Sequence, residues 1–123
     1  MRKLLASLFL IITLGTAQVT YAGPYEDGVA ARIRGDYATA LRLWGPLAAQ
    51  GDATAQTSLG FMYERGQGVP QNDKEAVRLF GLAAAQGGAY AQGALGVMYE
   101  SGRGVVQNYV RAHMWFNLSA SNG

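Results

Sequence analysis

No cysteine occurs in the 123 residues. That excludes disulfides, thiolate zinc sites, catalytic thiols and the acylated cysteine of a lipoprotein. Histidine is almost as scarce: His113 stands alone, so a multi-histidine metal centre is excluded as well. No apolar run reaches the roughly 18 to 20 residues that a membrane-crossing helix needs. The longest, Leu4 to Leu14, is broken by Ser7 and Thr13. It follows Arg2 and Lys3 and precedes Thr20-Tyr21-Ala22, a small residue ahead of Gly23-Pro24. A basic start, a short apolar stretch and a small-residue cut predict a secretory signal peptide over residues 1–22. Cleavage after Ala17 is an alternative, and so is an uncleaved N-terminal anchor. The expected location is therefore exported, periplasmic or secreted from a bacterium.

Surplus charge is lacking too. The whole chain carries 10 Lys+Arg and 8 Asp+Glu. Arg2 and Lys3 depart with the leader and no acid does, so eight bases face eight acids in residues 23–123. A neutral chain without a Lys/Arg cluster has little to offer a phosphate backbone, and nucleic acid is not an expected partner. Without disulfides the exported domain must hold together by packing, and about 100 residues suffice for one small domain.

What is present is a repeat. Ala49–Ala84 superimposes on Ala85–Ala120 at an offset of 36, with 20 of 36 positions identical. Shared residues include Gln50/Gln86, Ala55/Ala91, Leu59/Leu95, Gly60/Gly96, Met62/Met98, Tyr63/Tyr99, Glu64/Glu100, Gly66/Gly102, Gly68/Gly104, Asn72/Asn108 and Phe80/Phe116. A divergent copy precedes them: Asp36, Ala40, Leu43, Trp44 and Ala48 fall in register with Asn72, Ala76, Leu79, Phe80 and Ala84. Its first half, Tyr25 to Arg34, is shorter. Self-similarity at this period means a repeat architecture.

Each unit reads as two helices. Ala53 to Arg65 carries Ala55, Leu59, Met62 and Tyr63 at helical spacing, with Asp52 placed to cap its start and Gly66 to end it left-handed. A second helix starts after Asn72, with Glu75 at capping-box spacing, and carries Ala76, Leu79, Phe80, Ala83 and Ala84. Asp36, Asn72 and Asn108 hold the same cap slot. Small residues Ala55, Gly60, Ala76 and Gly81 predict close backbone approach; Leu59, Tyr63, Leu79 and Phe80 predict filling of the gaps. Helices roughly 20 Å long are marginal alone. Stacked pairs bury a continuous core, so the fold class is all-α: an α-solenoid of antiparallel helix pairs with about two and a half 36-residue repeats. Residues 23–123 form that domain, in units of about 23–50, 51–86 and 87–123.

The segment "AQGDATAQTSLGFMYERGQGVPQNDKEAVRLFGLAAAQG" and its second copy resemble the Sel-one-like repeat (SLR), a 36-residue relative of the tetratricopeptide repeat. The recurring A-x-A-Q-x-x-L-G-x-M-Y and G-x-G-V elements carry the likeness. It covers Gly51 to Gly123 well and Tyr25 to Gln50 more loosely. The last helix, "RAHMWFNLSASNG", looks like the end of one bacterial subgroup. The resemblance implies an α-solenoid that binds other proteins, often as an exported adaptor, with no common chemistry. A cysteine-rich branch is implied to bind or slowly hydrolyse β-lactams, so a weak hydrolase or β-lactam-binding protein is the alternative function, although this chain lacks that branch's cysteines.

Each chemical motif has a plainer structural reading. "GFMYERGQGVPQN" holds a G-x-G, but Gly66 closes a helix where a phosphate loop would open one. His113 aligns with Val77, an ordinary helix slot. Glu64 and Glu100 recur, which argues for a shared structural role over a glycosidase pair. Ser58, Ser101 and Ser119 sit in no nucleophile motif. Trp44, Phe80 and Phe116 share one slot and are expected core; Trp115 aligns with Leu79 and is expected core with less cover. No catalytic residue, metal or cofactor is expected.

Residues that vary between copies point to function. On the first helix they are Thr54, Ser58, Phe61 and Arg65, spaced 4, 3 and 4 on one helical face. Thr57 lies beside them, and their counterparts include Tyr90 and Val97. In tetratricopeptide-like solenoids this face lines the groove. Thr54, Thr57, Ser58, Phe61, Arg65, Tyr90 and Val97 are therefore the expected partner groove, for a protein or peptide. Met114, Trp115 and Leu118 on the last helix are expected to form an open end face, available for self-association, for another partner or for a missing continuation of the solenoid.

Overall fold

The computed structural model describes residues 23–123. The expected leader and its cut lie outside the described residues. Six helices follow one another: α1 (Pro24–Ile33), α2 (Tyr37–Ala49), α3 (Ala53–Arg65), α4 (Asp73–Ala85), α5 (Ala89–Ser101) and α6 (Tyr109–Asn122). They form three pairs, and each helix packs on the next in the chain. Among the described residues there is no strand, and no helix is long and apolar enough to cross a membrane.

The helix starts are written in the sequence. Asp36, Asp52, Asn72 and Asn108 each accept a hydrogen bond from the backbone N–H three residues on. The capping box at Asn72 is only half made. Glu75 gives its carboxylate to Arg78, at 2.9 Å from Nε. The Asn72 N–H instead donates to the Tyr63 carbonyl across the loop. A guanidinium one turn away offers a bidentate, charge-assisted bond, which outcompetes a single backbone donor.

Pair packing is a notch and a ring. A Cβ at Gly60 would lie 2.5 Å from Cε1 of Phe80, which is fully buried. Gly96 takes Phe116 and Gly28 takes Trp44 in the same way. The shortened first pair thus keeps the notch, at a position its divergence had hidden. Trp44 also satisfies its indole N–H on the Tyr25 carbonyl, at 2.9 Å. Burying each ring contributes roughly 1.5–3 kcal/mol, more than the about 1 kcal/mol that helical glycine costs. Gly81 does not share this role: a Cβ there would meet nothing within 4 Å. It faces outward, away from any helix crossing.

Pair-to-pair packing uses the G-x-G. Gly66 and Gly68 are left-handed, with φ of 66° and 73°. A Cβ at Gly68 would stand 2.6 Å from Tyr37 Cβ at the start of α2, and one at Gly104 would strike the Asp73 carbonyl at the start of α4. The loop therefore seats each pair on the preceding second helix. Arg103, between the glycines of the later copy, reaches back to Glu64 and Asp73, each at 3.1 Å. Asp73 and then Glu64 hold the guanidinium charged, raising its pKa. Glu64 has a structural role, but not the shared one its repetition predicted. Glu100, its copy, has no ion-pair partner among the described residues.

The A-Q of the repeat is a second tie. Gln56 and Gln92 are buried. Their Nε2 groups donate to the carbonyls of Ala48 and Ala84 on the preceding pair, both at 3.1 Å. Their Oε1 atoms accept from Gln86 and Asn122 at the end of their own pair, at 3.1 and 3.0 Å.

The last helix departs from expectation. On α4 five residues are buried, Ala76, Leu79, Phe80, Ala83 and Ala84; on α6 only Ala112 is. Phe116 and Trp115 are half-buried, so neither is core in the sense of Phe80 and Leu79. In the inner repeat α5 covers those positions, and among the described residues no helix stands in its place beside α6. Met114 and Leu118 belong to a different face. Their counterparts Arg78 and Leu82 are exposed even though another pair stacks behind them. His113 is exposed, its ring edge-on to Phe116.

Candidate functional site

The first helices α1, α3 and α5 stand side by side, and hollows open between them. One, of about 290 Å³, is lined by Thr54, Thr57, Ser58, Phe61 and Tyr90, with Tyr25 from α1. A second, of about 700 Å³, is lined by Phe61, Tyr90 and Val97 with Gly93 and Asn122. A third, of about 90 Å³, lies among Arg32, Ser58, Phe61, Arg65 and Gln67. The seven residues singled out in sequence thus lie along one continuous trough. Phe61 borders all three hollows.

The side chains are held to different degrees. Phe61 is half-buried, edge-on to Phe80 with ring centroids 5.0 Å apart. The Arg65 guanidinium lies over the ring, 5.1 Å from its centroid. Phe61 is therefore a fixed floor, not a free surface residue. Tyr90 is 84% exposed and Val97 45%. Thr57 spends its hydroxyl proton on the Ala53 carbonyl, and Ser58 shares a hydrogen bond with the Tyr25 hydroxyl at 3.0 Å. The trough is apolar at its centre and polar at its edges, the usual anatomy of a small recognition surface.

Acyl- or phosphoryl-transfer machinery is not assembled by these residues. Ser101 donates to the Val97 carbonyl and Ser119 to the Ala89 carbonyl. His113 lies on α6 among exposed residues and borders none of the three hollows. Among the described residues no group of three or more His, Asp or Glu could hold a metal ion.

Comparison with known proteins accounts for the architecture. The Sel1 repeat model matches residues 17–52, 53–88 and 89–123. The chain belongs to the Sel1 repeat family. A Sel1 repeat protein from Oxalobacter formigenes is 34% identical with a TM-score of 0.73, over 79% of this chain and 40% of that one. The c5321 protein, a protective antigen of uropathogenic Escherichia coli strains with an SLR fold, is 34% identical with a TM-score of 0.76, over 88% of this chain and 24% of that one. The chain thus spans less than half the length of either. No curated protein matches. The Sel1 repeat fold is typically a protein-interaction scaffold, and all three repeats of this chain have it.

Several trough residues escaped the sequence reading, Tyr25, Arg32, Gln67 and Asn122 among them. Tyr25 and Arg32 lie in the divergent first copy, where no identity marks a face. Gln67 was legible in principle: it changes to Arg103 in a loop copied except there and at Pro70/Val106, the same signal that marked Phe61.

Proposed function

We propose that this Sel1 repeat protein is an exported, non-catalytic adaptor that binds a segment of another protein in the trough between α1, α3 and α5. The observation that carries the reading is the position of Phe61. An aromatic ring buried on one side, capped by Arg65 and open to three hollows is preorganised to receive a side chain, and such aromatic anchors dominate binding energy at small interfaces. Tyr90 supplies the opposite wall, and Thr54, Thr57 and Ser58 the polar rim. Crosslinking in the envelope fraction tests this. Species captured by the wild type are expected to be lost with Phe61→Ala plus Tyr90→Ala at unchanged helical content; equal capture rejects the trough. Export is tested separately by N-terminal sequencing of the envelope-fraction protein, with Gly23 expected first.

A second reading concerns α6. Its outer stripe, Val110, Met114 and Leu118, replaces Lys74, Arg78 and Leu82 of the preceding copy. Val110 is 82% exposed. Stacking of a further pair leaves these positions open, so the loss of charge serves another contact, and self-association of two copies through α6 is the reading it favours. Sedimentation equilibrium is expected to show a dimer that Val110→Lys plus Met114→Arg dissociates. A wild-type monomer at high concentration rules it out.

A further inference from the structure

The charges around the trough are distributed one-sidedly. The described residues hold eight acidic side chains, yet no Asp or Glu lines any of the three hollows. The acids are engaged elsewhere or face other surfaces: Glu64 and Asp73 on Arg103, Glu75 on Arg78, and Asp36 and Asp52 on helix caps. Two bases do reach the trough. Arg32 from α1 and Arg65 from α3 flank the smallest hollow. Neither makes an ion pair among the described residues, whereas Arg34, Arg78 and Arg103 all do. Arg65 is also held in place, over the ring of Phe61.

Gln67 also lines this hollow, and its amide donates to the Tyr37 hydroxyl at 3.5 Å. The hollow therefore offers positive charge beside an apolar floor. A free inorganic anion meets only the charge. A peptide with a carboxylate side chain and an apolar neighbour meets both.

We propose that the trough recognises an acidic peptide: an extended segment with one apolar side chain seated on Phe61 toward Tyr90, and an Asp or Glu nearby placed between Arg32 and Arg65. This rests on the trough reading above and adds the chemistry of the partner. Two arginines suit a carboxylate side chain and are far too few for a nucleic-acid backbone. The Arg65–Phe61 stack couples the two subsites, since the apolar group and the carboxylate meet opposite ends of one arrangement.

The test is selection of a phage-displayed random peptide library on the exported protein, repeated on Phe61→Ala and on Arg32→Gln plus Arg65→Gln. Helical content and thermal midpoint are checked for each variant. Wild type is expected to enrich peptides with Asp or Glu within about three positions of an aromatic or large aliphatic residue, the reach of an extended chain between the two subsites. A winning peptide, acetylated and amidated to remove its terminal charges, is expected to lose about tenfold in affinity when its acids become Asn or Gln, and a similar factor on the double arginine variant, the size of a charge-assisted pair. Neutral or basic winners that depend on Phe61 would overturn the acidic preference and leave the trough standing. Acid-dependent winners indifferent to Phe61 would also overturn it, as charge attraction away from the trough. Absence of any Phe61-dependent winner removes both the trough and its acidic preference.

Discussion

Gly60 and Gly81 are both helical glycines, and alanine at each has opposite consequences. At Gly60 the new methyl would stand 2.5 Å from Phe80, a ring buried on all sides that has nowhere to turn. Overpacking of this kind costs about 1–3 kcal/mol. At Gly81 the methyl meets nothing, and the gain in helix propensity is about 1 kcal/mol. Urea midpoints are therefore expected to fall for Gly60→Ala and rise for Gly81→Ala, with unchanged m-values. A rise at Gly60 would mean that the notch is not closed. Asp36 gives a prediction in pH. Hydrogen bonds from Thr39, through its side chain and its backbone N–H, hold the Asp36 carboxyl below the ordinary value, helped by Arg34 and Arg42. The folded state therefore favours the carboxylate. Its stabilising effect is present above the unfolded carboxyl range, near 4, and is lost as pH falls through the lowered value. Asp36→Asn keeps a capping oxygen and does not titrate. The wild type's advantage over it, read from urea midpoints, is expected to be full near neutral pH and to shrink as pH falls below the ordinary carboxyl range. Both glycines looked alike in sequence, because spacing marks a helix and not what stands opposite it. Gly60 was marked by its copy at Gly96; Gly81 becomes Asn117 in the next repeat, and that variation was the available sign of an outward position.

Helix ends show where reading by pattern succeeds and where it stops. The caps Asp36, Asp52, Asn72 and Asn108 act on a neighbour three residues away, so their role is complete within the local sequence. Gln56 and Gln92 act across the repeats, on Ala48 and Ala84 behind and on Gln86 and Asn122 ahead. Their copying at an offset of 36 shows that the positions are constrained, but no local rule names a partner 30 residues off. The capping box failed at Glu75 for a related reason: Arg78, one turn along, was the stronger local competitor. Because both ends of the buried Gln92 amide are used, removing it breaks the bonds to the Ala84 carbonyl and the Asn122 amide together, although Ala84 keeps the Gly87 N–H. Gln92→Ala is expected to cost about 1–3 kcal/mol by thermal or urea unfolding. Leu of similar volume restores packing without the hydrogen bonds and is expected to recover only part. Full recovery by Gln92→Leu would show that the site needs volume, not a tie between repeats.

At the scale of the whole molecule, each pair contacts only its neighbours, so stability is set by how many neighbours a pair has. The seven residues singled out line the same hollows because four varying positions, Thr54, Ser58, Phe61 and Arg65, share one helical face with Thr57 beside it, and the fold sets α1, α3 and α5 side by side. The unequal ends were less legible in sequence than that face: α4 and α6 share Ala76/Ala112, Phe80/Phe116 and Leu82/Leu118, yet five residues of α4 are buried and one of α6. Sequence identity fixes the notch each ring enters, but the cover over the ring comes from the next pair along. The same substitution should therefore weigh differently in the two copies. Phe80→Ala empties a site enclosed by α3 and α5 and is expected to cost about 3–5 kcal/mol. Phe116→Ala removes a ring that solvent already reaches, so both the transfer and the cavity contributions are smaller, and less than half that cost is expected. Hydrogen exchange should show the same gradient, with amides of α6 opening at lower free energy than those of α4. Association of two copies through the outer stripe of α6 would leave this gradient in place, since that stripe is not the face that α5 covers in the inner repeat. Equal protection of α4 and α6 in a dilute monomer would contradict the neighbour-by-neighbour account, because identical slots with unequal cover cannot be equally stable.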